Sequence, residues 1–166
     1  MTMKIYMESL YNYTGEWIDL VSIDKEELLE LENKYSIGGQ HDIIIADWEE
    51  IPFRINMYSN WMEIWNKVQL IERMDIEKGQ IEILELLGYE FLKMDEYDIE
   101  QKIEEIYCIN AENDEDFAYE YYSQIYNLDK EIPSVFIGAI DWSRLYRDLE
   151  IEMTITKIDD SYYYTY

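Results

Sequence analysis

The chain has 166 residues, with 38 Asp and Glu against 13 Lys and Arg, for a formal net charge of −25. At that length it suits one ordinary domain or two or three very small ones, and a hydrophobic fraction of 48% excludes a disordered acidic tail. The charge excludes a grip on nucleic acid or on anionic lipid headgroups, so a partner attracted electrostatically must itself be basic. Much of the apolar material is 17 Tyr, 5 Trp and 8 Met, side chains that sit half exposed beside charge. The single Cys108 allows no internal disulfide. With no cationic, apolar leader and no apolar stretch near eighteen residues, a soluble, cytoplasmic protein is expected.

In chain order, Lys4 to Glu8 and Glu16 to Leu20 alternate on either side of a turn from Asn12 to Gly15, which predicts a hairpin. A helix follows, opened by Asp24 and Glu27 as a capping box, carrying Leu28, Leu31 and Tyr35 at helical spacing, and stopped by Gly38-Gly39. Ile43 to Ala46 reads as a buried strand, ended before Pro52. From Asn60 the period changes. Trp61, Ile64, Trp65, Val68 and Ile71 form one apolar stripe, with Glu63, Asn66, Lys67, Gln69, Glu72 and Arg73 facing away. Gln80 to Leu87, closed by Gly88, and a piece between Asp95 and Ile106 predict further short helices.

In the last third Asn113 caps a helix carrying Phe117, Tyr121 and Ile125, with Asp114, Glu115 and Asp116 in its first turn, where the dipole favours anions. Another helix runs from Asp141 with Trp142, Leu145, Tyr146 and Leu149 on one face. Met153 to Ile158 and Tyr162 to Tyr166, split by Asp159-Asp160-Ser161, predict a terminal hairpin. The expected fold class is α+β in three small domains: 1–60 (sheet plus helix), 61–103 (short-helix bundle) and 104–166 (sheet plus helices). Their formal charges are −8, −6 and −11, from 12 acids and 4 bases, 11 and 5, and 15 and 4. The charge is spread evenly, unlike the acidic block of a tail.

Catalytic constellations are poorly served. His41 is the only histidine, no Ser sits in an elbow motif, and Cys108 lies in an ordinary Ile-Tyr-Cys-Ile run. A turn histidine and a buried thiol are the expectations. One Cys and one His make no zinc set. Asn110, Glu112, Asp114 and Asp116 resemble a calcium loop but lack its central Gly and closing Glu, and a helix start accounts for them. Asp47, Glu49 and Glu50 read as a solvated strand end. Carboxylate pairs abound, yet no phosphate-cradling Gly loop is present. The expectation is no enzyme, no metal and no cofactor.

Duplex DNA carries one negative charge per roughly 1.7 Å, so the net charge corresponds to about 42 Å of duplex, close to the diameter of about 40 Å expected for a compact chain of this length. An end-to-end dimer matches about 85 Å. Any protein with this ratio of charge to size passes that test, a halophilic one kept soluble by carboxylates included. The longest run without charge is Ile132 to Ile140. It reads either as a place where two copies meet without repulsion, through Val135, Phe136, Ile137, Ala139 and Ile140, or as a strand or loop buried within one subunit.

Several fragments, in order, resemble the ArdA antirestriction family. They are Ile5-Tyr6 through Ser9-Leu10, Gly15-Glu16-Trp17-Ile18-Asp19, and Ile45-Ala46-Asp47-Trp48-Glu49 before Pro52. Asp116-Phe117-Ala118, then Ile140-Asp141-Trp142 leading into Tyr146-Arg147-Asp148-Leu149, complete the set. The match runs nearly end to end and looks closest to versions on conjugative transposons of Gram-positive bacteria. The turn from Asn12 to Gly15 is shorter than the family's usual loop, and Ser143-Arg144-Leu145 replaces a more acidic, alanine-rich stretch.

The resemblance implies an elongated homodimer of small α+β domains that mimics DNA, occupies the DNA-binding groove of type I restriction-modification enzymes and protects incoming DNA. It also implies that the antirestriction motif corresponds to Tyr126 to Ile140, near the subunit contact. Candidate phosphate surrogates are the carboxylates of helix faces and turns: Glu26, Glu27, Glu30, Glu72, Asp75, Glu77, Asp95, Glu96, Asp98, Asp114, Glu115 and Asp116. The implied partner is the methyltransferase core, with neither nucleic acid nor membrane bound directly. The alternative is an acidic mimic that inhibits another DNA-binding protein, which shares every one of these physical features.

Overall fold

The computed structural model describes residues 2–35 and 43–166 of the chain. Helices and two small three-stranded sheets make an α+β fold, as expected. The chain divides into two compact units, Met1–Glu77 with Glu90–Met94, and Lys78–Tyr89 with Asp95–Tyr166. Residues 61–103, expected as a helical group of their own, are shared between the two.

In the first unit β1 (Lys4–Ser9) and β2 (Gly15–Asp19) pair antiparallel, with Tyr6 opposite Trp17. Strict alternation buries Met3, Ile5 and Met7 completely and leaves Lys4, Tyr6 and Glu8 half exposed on the other face. The third strand, β3 (Ile43–Glu49), pairs antiparallel with the other side of β1, giving the order β2-β1-β3. It runs past the predicted end at Ala46. A bulge there sets Tyr6 against Asp47 and Met7 against Ile45, so pairing continues after the apolar run has stopped.

Helix α1 (Lys25–Tyr35) opens on the predicted capping box: Glu27 N–H donates to Asp24 Oδ1 at 2.8 Å and Asp24 N–H to Glu27 Oε2 at 3.4 Å. Leu28 and Tyr35 are buried and Leu31 is half-buried. The stop at Gly38-Gly39 and the turn at His41 lie outside the described residues. Lys34 Nζ and the Tyr35 hydroxyl both donate to Glu16 Oε1, at 2.6 and 2.8 Å, tying the end of α1 to β2.

Helix α2 (Trp61–Met74) is capped by Asn60, whose side chain accepts from Met62 and Glu63 N–H. Of the predicted stripe Ile64, Val68 and Ile71 are buried and Trp61 and Trp65 half-buried; Leu70 is buried too, and Lys67 and Gln69, expected to face away, are half-buried. Its half-buried flank is anchored by polar ends on apolar bodies: Trp65 Nε1 donates to Ile23 O at 3.1 Å and Gln69 Nε2 to Leu20 O at 2.8 Å. Lys67 donates to Met94 O and lies over Phe91, the buried residue of a 3-10 turn (Phe91–Lys93) that packs on Phe53.

The second unit is built on β4 (Tyr107–Asn110), β5 (Thr154–Ile158) and β6 (Ser161–Thr165), in the antiparallel order β4-β6-β5. The β5–β6 hairpin is the predicted one, turning through Asp159 at φ 54°. Strand β4 was not predicted. It contains Cys108, which is exposed on the sheet edge, so the expected buried thiol is corrected.

Helices α5 (Asp114–Tyr126) and α8 (Trp142–Glu152) pack together. Phe117, Ala118, Tyr121 and Leu149 form one core with Ile109, Met153, Tyr162 and Tyr164 of the sheet side. Period 2 on β6 sends Tyr162 and Tyr164 to that core and Tyr163 to the opposite face, against Gly79 of α3 (Lys78–Leu86). The sheet is therefore covered on both faces, which is why Tyr162 to Thr165 are all buried in sequence. Gly88 at φ +89° ends α3, and α4 (Glu96–Ile103) starts at Asp95, whose side chain accepts from Asp98 N–H.

Between α5 and α8 lie two single turns, α6 (Leu128–Glu131) and α7 (Ser134–Ile137). The uncharged run is thus neither a strand nor buried: Val135 is 76% and Phe136 61% exposed.

Candidate functional site

All twelve candidate carboxylates are solvent-exposed. Six belong to each unit, and the units carry 17 acids against 7 bases (−10) and 21 against 6 (−15), together the −25 of the chain. Their local settings differ in a way that bears on why they are there.

Glu26 and Glu27 occupy the first turn of α1, with Glu30 one turn on. Asp95, Glu96 and Asp98 surround the start of α4, and Asp114, Glu115 and Asp116 form the first turn of α5. Helix N-termini favour anions, so stability alone accounts for most of these positions. Glu72, Asp75 and Glu77 differ. Glu72 lies in the last turn of α2, Asp75 is its C-cap in the left-handed conformation, and Glu77 follows. Glu72 opposes the α2 macrodipole, whereas the left-handed position of Asp75 is one that Asp enters readily, and Glu77 directly precedes α3, a helix start that favours anions.

The start of α5 is the most organised of these clusters. Asn113 Oδ1 accepts from Glu115 and Asp116 N–H, both at 3.0 Å, and its amide donates to Asp116 Oδ2 at 2.7 Å. The Tyr162 hydroxyl donates to Asp114 Oδ1 at 2.6 Å, and Ser143 Oγ to Glu115 Oε1 at 2.8 Å. Burial first, and then the bond to Asp114, pushes the Tyr162 phenol well up. Burial and the Asp114 charge push Tyr146 up to about 12. Lys157 donates to Glu112 O at 2.7 Å and lies over the Tyr162 ring. Nothing local in the sequence links Ser143, Lys157 and Tyr162 to this cluster; the sheet and α8 bring them there from far along the chain.

Among the described residues no group of three or more His, Cys, Asp and Glu is placed to hold a metal ion. In the calcium-like stretch Asn110 Oδ1 instead accepts from Ser161 Oγ at 2.8 Å, and Asp114 and Asp116 are held by Tyr162 and Asn113. No described helix is long and apolar enough to cross a membrane.

Of the candidate dimer residues, Val135, Phe136 and Ile137 lie on α7, and Ala139 and Ile140 lead into the Asp141 cap of α8. Val135, Phe136 and Ala139 are exposed, Ile137 and Ile140 half-buried. Exposed Ile125 and Tyr126 end the neighbouring α5.

The model of the antirestriction protein (ArdA) family matches residues 10–164. The chain belongs to the ArdA family. No curated protein matches the chain. Membership places this ArdA chain among antirestriction proteins, which are inhibitors and not a known enzyme family.

Proposed function

We propose that this chain is a DNA mimic that occupies the DNA-binding groove of type I restriction-modification enzymes and so protects incoming mobile DNA. The observation that carries the reading is the exposure of all twelve carboxylates, distributed over both units, in a member of an antirestriction family.

The mechanism follows from charge. Carboxylates replace phosphates, pair with cationic side chains of the groove, and release counterions, so affinity falls steeply with salt. Base readout plays no part, so one inhibitor serves against enzymes of different target sequence. The active form in this proposal is a cytoplasmic homodimer joined through Val135, Phe136, Ile137, Ala139 and Ile140, where the absence of charge avoids repulsion between two strongly anionic copies.

The test is cleavage and methylation by a purified type I enzyme in the presence of wild type and charge variants. Single Asp→Asn or Glu→Gln changes at the twelve positions should each alter inhibition by less than about fivefold, the scale of one exposed ion pair. Neutralising the six positions of one unit together should abolish it. Loss of all inhibition from one carboxylate change would point instead to a catalytic or metal site and overturn the reading.

A further inference from the structure

The turn between β1 and β2 carries two tyrosines that local energetics do not explain. Tyr11 is 68% and Tyr13 76% exposed, with Leu10 at 42% beside them. Ser9 to Gly15 holds no charged residue, in a chain where charged residues make up 31%. Tyr13 adopts φ 55°, the left-handed region that Gly and Asn enter readily and a bulky side chain enters at a cost. That conformation is held by the turn itself. Tyr13 N–H donates to Ser9 O and Ser9 N–H to Thr14 O, both at 2.9 Å, while Thr14 Oγ1 donates to Asn12 Oδ1 at 2.7 Å. A rigid turn therefore projects two aromatic rings into water at a position where Asn or Gly gives a more stable hairpin. Trp17, also exposed and edge-on to Tyr6 at 5.5 Å, continues the aromatic surface down β2.

We propose that the β1–β2 tip is a second contact element, whose Tyr11 and Tyr13 rings stack on arginine guanidinium groups of the same basic groove that receives the carboxylates. This rests on the DNA-mimic reading. Grooves that bind nucleic acid present arginines, whose planar guanidinium stacks on the face of an aromatic side chain and pairs with anions at its edge. In this division carboxylates stand for phosphates and the two tyrosine rings add a stacking contact that carries no sequence information. An uncharged tip also has a function in so acidic a chain: a ring can lie against a cation already paired with a carboxylate nearby without adding further anionic charge.

The experiment compares wild type with the double variant Tyr11→Ser, Tyr13→Asn in displacing a labelled duplex from a type I methyltransferase core, across a series of salt concentrations. Thermal melting and sedimentation of both proteins accompany it. The variant is expected to melt no lower than wild type, because Asn suits the left-handed position, and to sediment identically. It should displace duplex about 10-fold to 100-fold less well with the salt slope unchanged, since no charge has been removed. Equal displacement by the two proteins would overturn the tip proposal and leave the mimicry reading intact. A variant that changes oligomeric state would assign the tip to self-association and overturn it as well. Failure of wild type to displace duplex at any salt would remove the mimicry reading, and this proposal with it.

Discussion

Gly79→Ala would place a methyl group where the Tyr163 ring already lies. A Cβ built on Gly79 falls well under 3.0 Å from Cγ, Cδ2 and Cε2 of that ring. Cγ is the atom next to the Tyr163 backbone, and Tyr163 sits on β6, the central strand of its sheet, so the ring has no flexible end to swing aside. Alanine in place of glycine gains up to about 1 kcal/mol of helix propensity, less in the first turn of α3. Overpacking costs about 1–3 kcal/mol, and the absence of an easy relaxation puts this site toward the upper end. The net expectation is a loss of about 1–2 kcal/mol, or a melting temperature about 2–8 °C lower for a chain of this length. Thermal and urea unfolding followed by circular dichroism read it. In a Tyr163→Ala background the clash is gone, and the same glycine change should become neutral or stabilising, a coupling that a double-mutant cycle isolates. Gly79→Ala melting at or above wild type in the native background would refute the packing of α3 on this sheet.

Three further outcomes follow from the same geometry. Asn113→Ala removes the acceptor for two N–H groups at the start of α5 and should cost about 1 kcal/mol, read as a melting temperature about 2–4 °C lower, with Asn113→Gly less affected. Hydrogen bonds from Lys34 and Tyr35 hold the Glu16 carboxyl below its usual range, and the bond to Glu16 raises Lys34. The Glu16 contribution is in place above the unfolded carboxylate range and lost as pH falls through the lowered folded value. The Lys34 contribution is lost as pH rises through its raised folded value. Glu16→Gln should flatten both limbs of a stability–pH curve, and an unchanged acid limb would contradict the pairing. Tyr162 and Tyr146 are raised, chiefly by burial, so their contribution is complete below the unfolded tyrosine value of about 10 and declines above it. An ultraviolet titration of the folded protein should show late-ionising phenols, and Tyr162→Phe should remove one of them.

The elements with local signatures were readable in sequence. Most of the α2 stripe, the Asp24–Glu27 box and the Asn113 cap depend on residues within one or two turns, and they lie where the pattern put them. Strand β4 was not readable, because it is four residues long, only Ile109 is buried, and its partner β6 lies some fifty residues away. The same long-range pairing takes α3 out of the predicted central helical group: its apolar face meets the β5–β6 hairpin, a contact no local period encodes. The uncharged run was singled out by composition, but composition could not distinguish a buried segment from the exposed turn that α7 forms. The carboxylates were legible as a population, while the hydrogen bonds of Tyr162 and Ser143 to Asp114 and Glu115 required the tertiary fold.

The central claim is that this surface takes the place of DNA, and competition for one groove tests it most directly. Labelled duplex bound to a purified type I methyltransferase core is titrated with the protein at low and at moderate salt. The account predicts stoichiometric displacement by the dimer that weakens steeply as salt rises. Duplex that stays bound at every salt concentration, or a ternary complex of enzyme, duplex and this protein, would contradict it.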